Sequence, residues 1–458
     1  MGSISEAVMR WFRTSPEPGD VGAVHPLRLL AREGGGRALR LGIAKIVRSG
    51  GLVHCKSALL ALQAEILWTH GDHAGVRKTA ELLVSRHKSA LGHFYLAQSA
   101  FVHGEFEAAA ASLQRLLALD PNHTDGIYLR SACALETGDR ELAWSVLEDI
   151  ALRDSRPKTW LHLAQLVRDK NDFGRLMACH ARARENKTVP AFSKDIQDHL
   201  ALGALRGGEY EQAKEIWRGI ILHIFAKPAR FGKRARKKAD YSAGRAERAL
   251  LDLRRTLEAA RIEMFLVSGT LLGCIREGRL LSHDKDIDVG IWEDVPPGDV
   301  RSALRASGLF FLIPSRAPEI LRVRHVNGIP LDLFYHYRQQ DDYWHGGVKN
   351  KWHNSPFDLV PRTFLGESFL VPADHDRYLT ENYGDWRAPK TDFDSAFDTP
   401  NGEVIHADEQ LVHCFKMLLA SYLKGASGKV DYYLGKLDAM GEKPLAARCG
   451  ELLASRAQ

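Results

Sequence analysis

Three aspartates carry the chemistry this sequence offers. Asp286 and Asp288 stand two residues apart in Lys285-Asp286-Ile287-Asp288-Val289-Gly290-Ile291-Trp292. That run alternates polar and apolar, the period of a half-buried strand. Side chains two apart on a strand share a face, so both carboxylates project together while Ile287, Val289 and Ile291 enter a core. Paired carboxylates repel unless a cation lies between them, and a carboxylate-only site suits Mg²⁺ or Mn²⁺. Asp332 is the one charge in Ile329-Pro330-Leu331-Asp332-Leu333-Phe334-Tyr335. That is a second, apolar strand, and a lone buried carboxylate is costly without a cation partner. Upstream, Met264 to Val267 reads as a short strand, Ser268-Gly269-Thr270 as a turn and Leu271 to Arg276 as a short helix. Backbone N–H groups at such a turn and the Thr270 hydroxyl suit a phosphate. A calcium loop begun at Asp284 would need Gly at its sixth position and Glu at its twelfth, where Val289 and Val295 stand. An exposed charged turn does not explain the apolar alternation.

These residues resemble the LicD/fukutin-related phosphotransferases of the nucleotidyltransferase superfamily. The family signature is met by Gly269-Thr270-Leu271-Leu272-Gly273, Arg276 and His283-Asp284-Lys285-Asp286-Ile287-Asp288. The family's later metal-binding Asp matches Asp332. Its C-terminal hallmark matches Pro372, Tyr378-Leu379 and Tyr383-Gly384-Asp385-Trp386. Four motifs in order over about 120 residues are far more specific than a lone glycine motif. The resemblance covers roughly residues 246–400.

The resemblance implies an α+β nucleotidyltransferase fold and a Mg²⁺- or Mn²⁺-dependent reaction. A phosphorylated group would pass from a CDP-linked donor to a sugar hydroxyl of a cell-surface glycan, such as a capsule polysaccharide, releasing CMP. The cargo would be phosphocholine or an alditol phosphate such as ribitol or glycerol phosphate. Asp286, Asp288 and Asp332 would be the metal ligands and catalytic residues, with Gly269, Thr270, Arg276, His283 and Asp284 at the donor. The chain lacks the cysteine-rich zinc insertion of the animal members. Two rival readings stand beside this one. The first is a nucleotidyltransferase moving NMP from an NTP to a small molecule or protein. The second is a repeat scaffold with an inactive C-terminal domain.

The elements that would position this site divide the chain. Residues 1–57 are broken by Pro16, Pro18, Pro26 and Gly34-Gly35-Gly36 and read as a helical capping segment. Across 58–226, turn signals recur at Gly71, Gly104, Gly138, Asn171 and Gly208, with spacings of 33, 34, 33 and 37. That is the length of a tetratricopeptide (TPR) repeat. Small residues fall seven before each turn (Ala64, Ala97, Ser131, Ala164, Ala201), where paired helices would approach closely. The expected fold is therefore multidomain: an all-α TPR-like superhelix, then an α+β domain over 246–458. Stacked repeats build a surface for a peptide, a glycan polymer or a second subunit, or serve only as a spacer. Residues 227–248 hold nine positive charges. A basic linker over 227–245 is the preferred reading, and a patch for anionic lipid the sharper one.

Residues 341–357, with Tyr343, Trp344, His345, Lys349, Lys351, Trp352 and His353, read as a polar, aromatic-rich loop, which would either stack on a sugar or nucleotide or be an ordinary surface loop. His406, Asp408, Glu409 and His413 lack a metal-binding spacing, and Asp408 reads instead as serving a helix N-terminus. The net charge of +6 comes with no nucleic-acid motif, so nucleic acid is not an expected partner. Six scattered cysteines without a Cys-x-x-Cys argue against a disulfide framework. No window is apolar enough to span a bilayer. Together these point to the cytoplasm, with peripheral contact at the inner face of the membrane.

Overall fold

The computed structural model describes residues 57–227, 243–282, 284, 286–390 and 393–455. The capping segment, most of the basic linker and His283 lie outside them. The first described region is all helix: α1 (Ser57–Thr69), α2 (His73–His87), α3 (Ala90–Val102), α4 (Phe106–Leu119), α5 (Thr124–Glu136), α6 (Arg140–Ala151), α7 (Pro157–Leu166), α8 (Lys170–Glu185), α9 (Lys194–Arg206) and α10 (Tyr210–Phe225). Successive helices pack on one another. Gly71, Gly104, Gly138 and Gly208 turn the hairpins in the left-handed region, at φ of 70°, 77°, 83° and 76°, where a side chain is strained. The small residues seven positions earlier are all buried, which lets the helix pairs close up. The Asn171 signal differs. Both Asn171 and Asp172 lie inside α8, and the turn falls at Val167–Asp169. Asp169 caps α8 by accepting from Asp172 N, so the aspartates there start a helix rather than end one.

After α11 (Ala243–Ala259) comes a ten-stranded mixed sheet, in the order β10-β7-β6-β5-β2-β1-β9-β8, with β4 also on β5 and β3 on β4. Its strands are β1 (Phe265–Leu266), β2 (Ile287–Trp292), β3 (Phe310–Ile313), β4 (Ile320–His325), β5 (Pro330–Gln339), β6 (Asp342–Gly346), β7 (Asn350–Asn354), β8 (Leu359–Phe364), β9 (Glu367–Pro372) and β10 (Gly402–Val404). Three helices accompany them: α12 (Ser268–Leu272), α13 (Pro297–Ser307) and α14 (His375–Tyr383). The long β5 is central, antiparallel to β4 and β6 and parallel to β2. Ala249, Leu250, Leu253 and Leu257, the apolar stripe of α11, are fully buried against Phe265, Val289 and Ile291. The expected aromatic loop over 341–357 is instead a hairpin, β6 on β7, with His345 opposite Trp352. Dense Tyr, Trp and His favour a pleated, half-buried surface over a loop.

The last helices, α15 (Ala407–Lys424), α16 (Ser427–Ala439) and α17 (Lys443–Ala454), share a core with the first region. Trp217, Ile221 and Phe225 of α10 pack with Phe415, Leu418 and Tyr422 of α15. The Phe225 and Tyr422 rings stack at 4.0 Å. At the other end, Phe311 of β3 lies between Trp68 and Phe101, and Arg305 pairs with Glu136 at 2.6 Å. The sheet is thus held by helices at both ends of the array. No described helix is long and apolar enough to cross a membrane.

Buried Asp394 ties the segment before β10 to α15 and α16. It accepts from Ala396 N (3.0 Å) and the Tyr433 hydroxyl (2.7 Å), and His413 Nε2 lies 3.1 Å away. Burial alone would raise its pKa. His413, Tyr433 and Ala396 outweigh burial and bring it down to about 2. An unfolded Asp titrates near 3.9, so the stabilisation is present above about pH 4 and is lost as the pH falls toward 2. Asp394→Asn is expected to cost about 1–3 kcal/mol near neutrality. In urea unfolding, the gap to the parent should close between about pH 4 and 2.

Candidate active site

The parallel register of β2 on β5 sets Asp288 opposite Asp332. Asp286, just before β2, completes the group. One carboxylate oxygen from each of the three lies within 4.8 Å of the others. They sit in a cleft of about 580 Å³ that Ser268, Gly269, Arg276 and Asp284 also line. Burial, then the charges of Asp286, Asp284 and Asp332, push Asp288 well above the usual carboxylate range. Asp332 is raised by burial and relieved in part by Arg322 of β4, whose Nη2 is 3.3 Å away. One guanidinium does not balance three adjacent carboxylates. The donor set is all oxygen, so the residues present fit a hard divalent cation.

The elbow before β2 is tighter than the sequence suggests. The helix α12 begins at Ser268 itself, whose φ is +47°, a costly conformation for a residue with a side chain. A π turn, Gly273–Glu277, follows it. Gly269 lines the cleft, and a Cβ there would stand 2.1 Å from Asp284 Oδ2, so glycine admits that carboxylate to the elbow. Thr270 is buried outside the cleft lining, and its hydroxyl accepts from Asp288 N at 2.9 Å. Its contact is with the acidic strand, not with the open cleft. Thr270→Val is expected to lower stability by about 1–3 kcal/mol in urea unfolding, since it leaves the buried Asp288 N–H unmet.

Arg276 lines the cleft and donates to Trp386 O at 3.1 Å. Trp386 Nε1 in turn donates to Asp376 at 3.0 Å. Tyr383, Asp385 and Trp386 line the same cleft. Burial, then Asp288 and Asp284, raise the Tyr383 phenol well above its usual value.

The cleft also has a cationic lining, most of which leaves no local signal in the sequence. It is formed by Arg316 between β3 and β4, Lys349 in the β6–β7 turn, Lys390, and Lys416 of α15. Lys349 falls in the stretch 341–357 that reads as a loop from the sequence. Arg316 and Lys416 reach the site through tertiary packing that leaves no local signal. Leu205 of α9 and Val412 of α15 line the same cleft. Glu409 is bound by Arg316 in two hydrogen bonds, and Asp408 pairs with Lys214 at 2.8 Å.

Residues 261–374 match the model of the LicD/FKTN/FKRP nucleotidyltransferase domain. Among curated proteins, the chain is 29% identical over 170 residues to the mouse (Mus musculus) ribitol-5-phosphate transferase FKTN, covering 34% of this chain and 36% of that one. To the human (Homo sapiens) ribitol-5-phosphate transferase FKTN it is 28% identical over 159 residues, or 32% and 34%. The match therefore spans about a third of the length of these relatives. Residues 261–374 contain the elbow, both acidic strands and the register that joins them, and it is over these residues that the chain is similar to the LicD/FKTN/FKRP nucleotidyltransferase domain.

Proposed function

We propose that this chain transfers a phosphorylated group from a CDP-linked donor to a sugar hydroxyl of a cell-surface glycan and releases CMP. The observation that carries this is the meeting of Asp286, Asp288 and Asp332 at one end of the cleft. Those residues would hold Mg²⁺ or Mn²⁺. A cation there would neutralise charge on the donor's pyrophosphate. The acceptor oxygen bonds to the phosphorus of the cargo, the bridging P–O bond breaks, and CMP leaves with the electron pair. Asp332, raised in pKa and held by Arg322, is placed to take the acceptor's proton. Gly269, Arg276 and Asp284 frame the donor, with Thr270 behind them, while His283 lies outside the described residues.

Ribitol phosphate is the first cargo to try, because the relatives are named ribitol-5-phosphate transferases. Residues 58–226 are read as TPR-like repeats that present the site to a protein or polymer. The catalytic unit is read as 246–458, its last three helices shared with the array. The basic linker suits the inner face of a membrane, in a cytoplasmic protein. Incubation with CDP-ribitol, CDP-glycerol or CDP-choline and Mg²⁺ should release CMP from one of them. Pyrophosphate released from an NTP instead would establish the rival nucleotidyl transfer. No release from any donor, without binding of CDP, would leave a scaffold.

A further inference from the structure

The cleft holds a second polar group that the transfer chemistry does not use. His413 of α15 lines it, with its side chain 24% exposed. Its Nε2 lies 3.1 and 3.2 Å from the two oxygens of Asp394. The Asp394 side chain is 5% exposed and is fixed in turn by the Tyr433 hydroxyl and Ala396 N. An ionised carboxylate only accepts, so the Nε2 proton points at Asp394 and, in the neutral ring, Nδ1 carries the lone pair. Nδ1 makes no hydrogen bond among the described residues and is not sealed from solvent. Asp394 thereby fixes which nitrogen of the ring offers an acceptor to the cleft.

An aromatic surface is tied to this acceptor. Trp352 of β7 lines the cleft, and its Nε1 donates to Ser395 O at 3.4 Å. Ser395 follows Asp394 in the chain, so the indole and the imidazole are anchored to one short segment. One face of Trp352 stacks on His345 at 5.3 Å. The other has no ring partner among the described residues. Phe393, which precedes Asp394, lines the cleft as well. The charges on α15 next to His413 are already taken. Lys416, one turn on, pairs with Asp198 at 3.1 Å, and Glu409, one turn back, is bound by Arg316. What remains on offer is a flat apolar face and a fixed, neutral acceptor. A sugar hydroxyl both gives and accepts, so it does not need the imidazole proton placed. An aromatic heterocycle bearing an amine uses both features, because its ring stacks and its amine only gives.

We propose that Asp394 and His413 read the base of the nucleotide donor, whose cytosine ring stacks on Trp352 and gives its C4 amine to His413 Nδ1. Uracil carries an oxygen in place of that amine, so acceptor would face acceptor, and uracil is refused. The proposal rests on the transferase reading for the presence of a CDP-linked donor, and adds the residue that selects it. His413 touches the base, and Asp394 is a positioning residue that acts through it. Both lie beyond residues 261–374, the stretch similar to the LicD/FKTN/FKRP domain. The acidic group serves any nucleoside diphosphate, and the choice among them falls to α15. Because α15 shares its core with α10, the helical array holds the base-reading residue in place.

The test uses the full chain with CDP and UDP, each with Mg²⁺. Binding is followed by calorimetry at about pH 8, above the ordinary titration range of imidazole. CDP should bind about tenfold or more tightly than UDP, the size of a buried hydrogen bond left unmet. In His413→Gln, whose amide can turn to give or to accept, the two should bind within about twofold of each other. Trp352→Leu should weaken both by about tenfold and keep their ratio, as loss of a stacking face does. That variant keeps the test open if His413→Gln fails to fold. Equal binding of CDP and UDP by the parent, a CDP preference that survives in His413→Gln, or parental CDP affinity in Trp352→Leu would overturn the proposal and leave the transferase reading standing. A parent that binds neither nucleotide would overturn the transferase reading, and base recognition with it.

Discussion

Asp288→Asn is expected to abolish turnover while raising the stability of the metal-free chain. The two effects have one cause. Asp288 is buried among Asp286, Asp284 and Asp332, and its ionised form is disfavoured by that setting. A carboxyl whose pKa is raised by folding destabilises the native state above its unfolded pKa, and the penalty disappears as the pH falls below that value. Asparagine keeps the shape and removes the charge. In EDTA near neutral pH, the variant should therefore melt above the parent, and the gap should vanish in acid. Adding Mg²⁺ should raise the melting temperature of the parent, because a ligand of the folded state alone stabilises it. It should do little for the variant. Losing about 4 kcal/mol of charge stabilisation in the transition state is about a thousandfold in rate. Asp286→Ala and Asp332→Asn should fall as far in CMP release. A variant at Asp286 that turns over like the parent, or a parent with no Mg²⁺-dependent shift, would remove the three aspartates from the chemistry.

The acidic site was legible because its signals are local. Strict alternation around Asp286 and Asp288, and one charge in the apolar run at Asp332, fix which face each side chain takes before any partner strand is known. A one-residue slip from the register that sets Asp288 beside Asp332 would turn the apolar set of one strand, Ile287 and Val289 or Leu331 and Leu333, out of the core. The repeat turns were legible for the same reason, since glycine at positive φ and a small residue one helix earlier are read within one repeat. Other features depend on parts of the chain far apart. Nothing near Phe415 says that it packs against Trp217, because its amphipathic helix fits any apolar partner. The contact of Thr270 with the acidic strand was not legible for a related reason. A hydroxyl at an elbow suits a phosphate and a backbone N–H equally, and the geometry of β2 decides between them. The cationic lining went unseen because Arg316, Lys349, Lys390 and Lys416 come from four separate stretches of sequence.

Trp217→Ala should damage the site from a distance. Trp217 is among the largest fully buried side chains, and removing such a ring costs about 3–5 kcal/mol. That alone marks a core residue. The functional consequence comes from what packs on it. Lys416 of α15 lies over its ring at 5.5 Å, pairs with Asp198 of α9 at 3.1 Å and lines the cleft. With Glu409 and Val412 on the same helix, any shift of α15 moves part of the lining of the cleft that holds the aspartates. The expected result is a lower melting temperature together with a severalfold rise in KM, at temperatures where the variant is still folded. Leu113→Ala supplies the comparison. Leu113 is equally buried but belongs to a separate cluster with Ala109 and Leu116 of α4, and its loss costs about 2–5 kcal/mol. It should melt early and keep its KM. If both variants lose stability and both keep KM, α15 does not shape the cleft. If only Trp217→Ala changes it, the helical array is part of the active site.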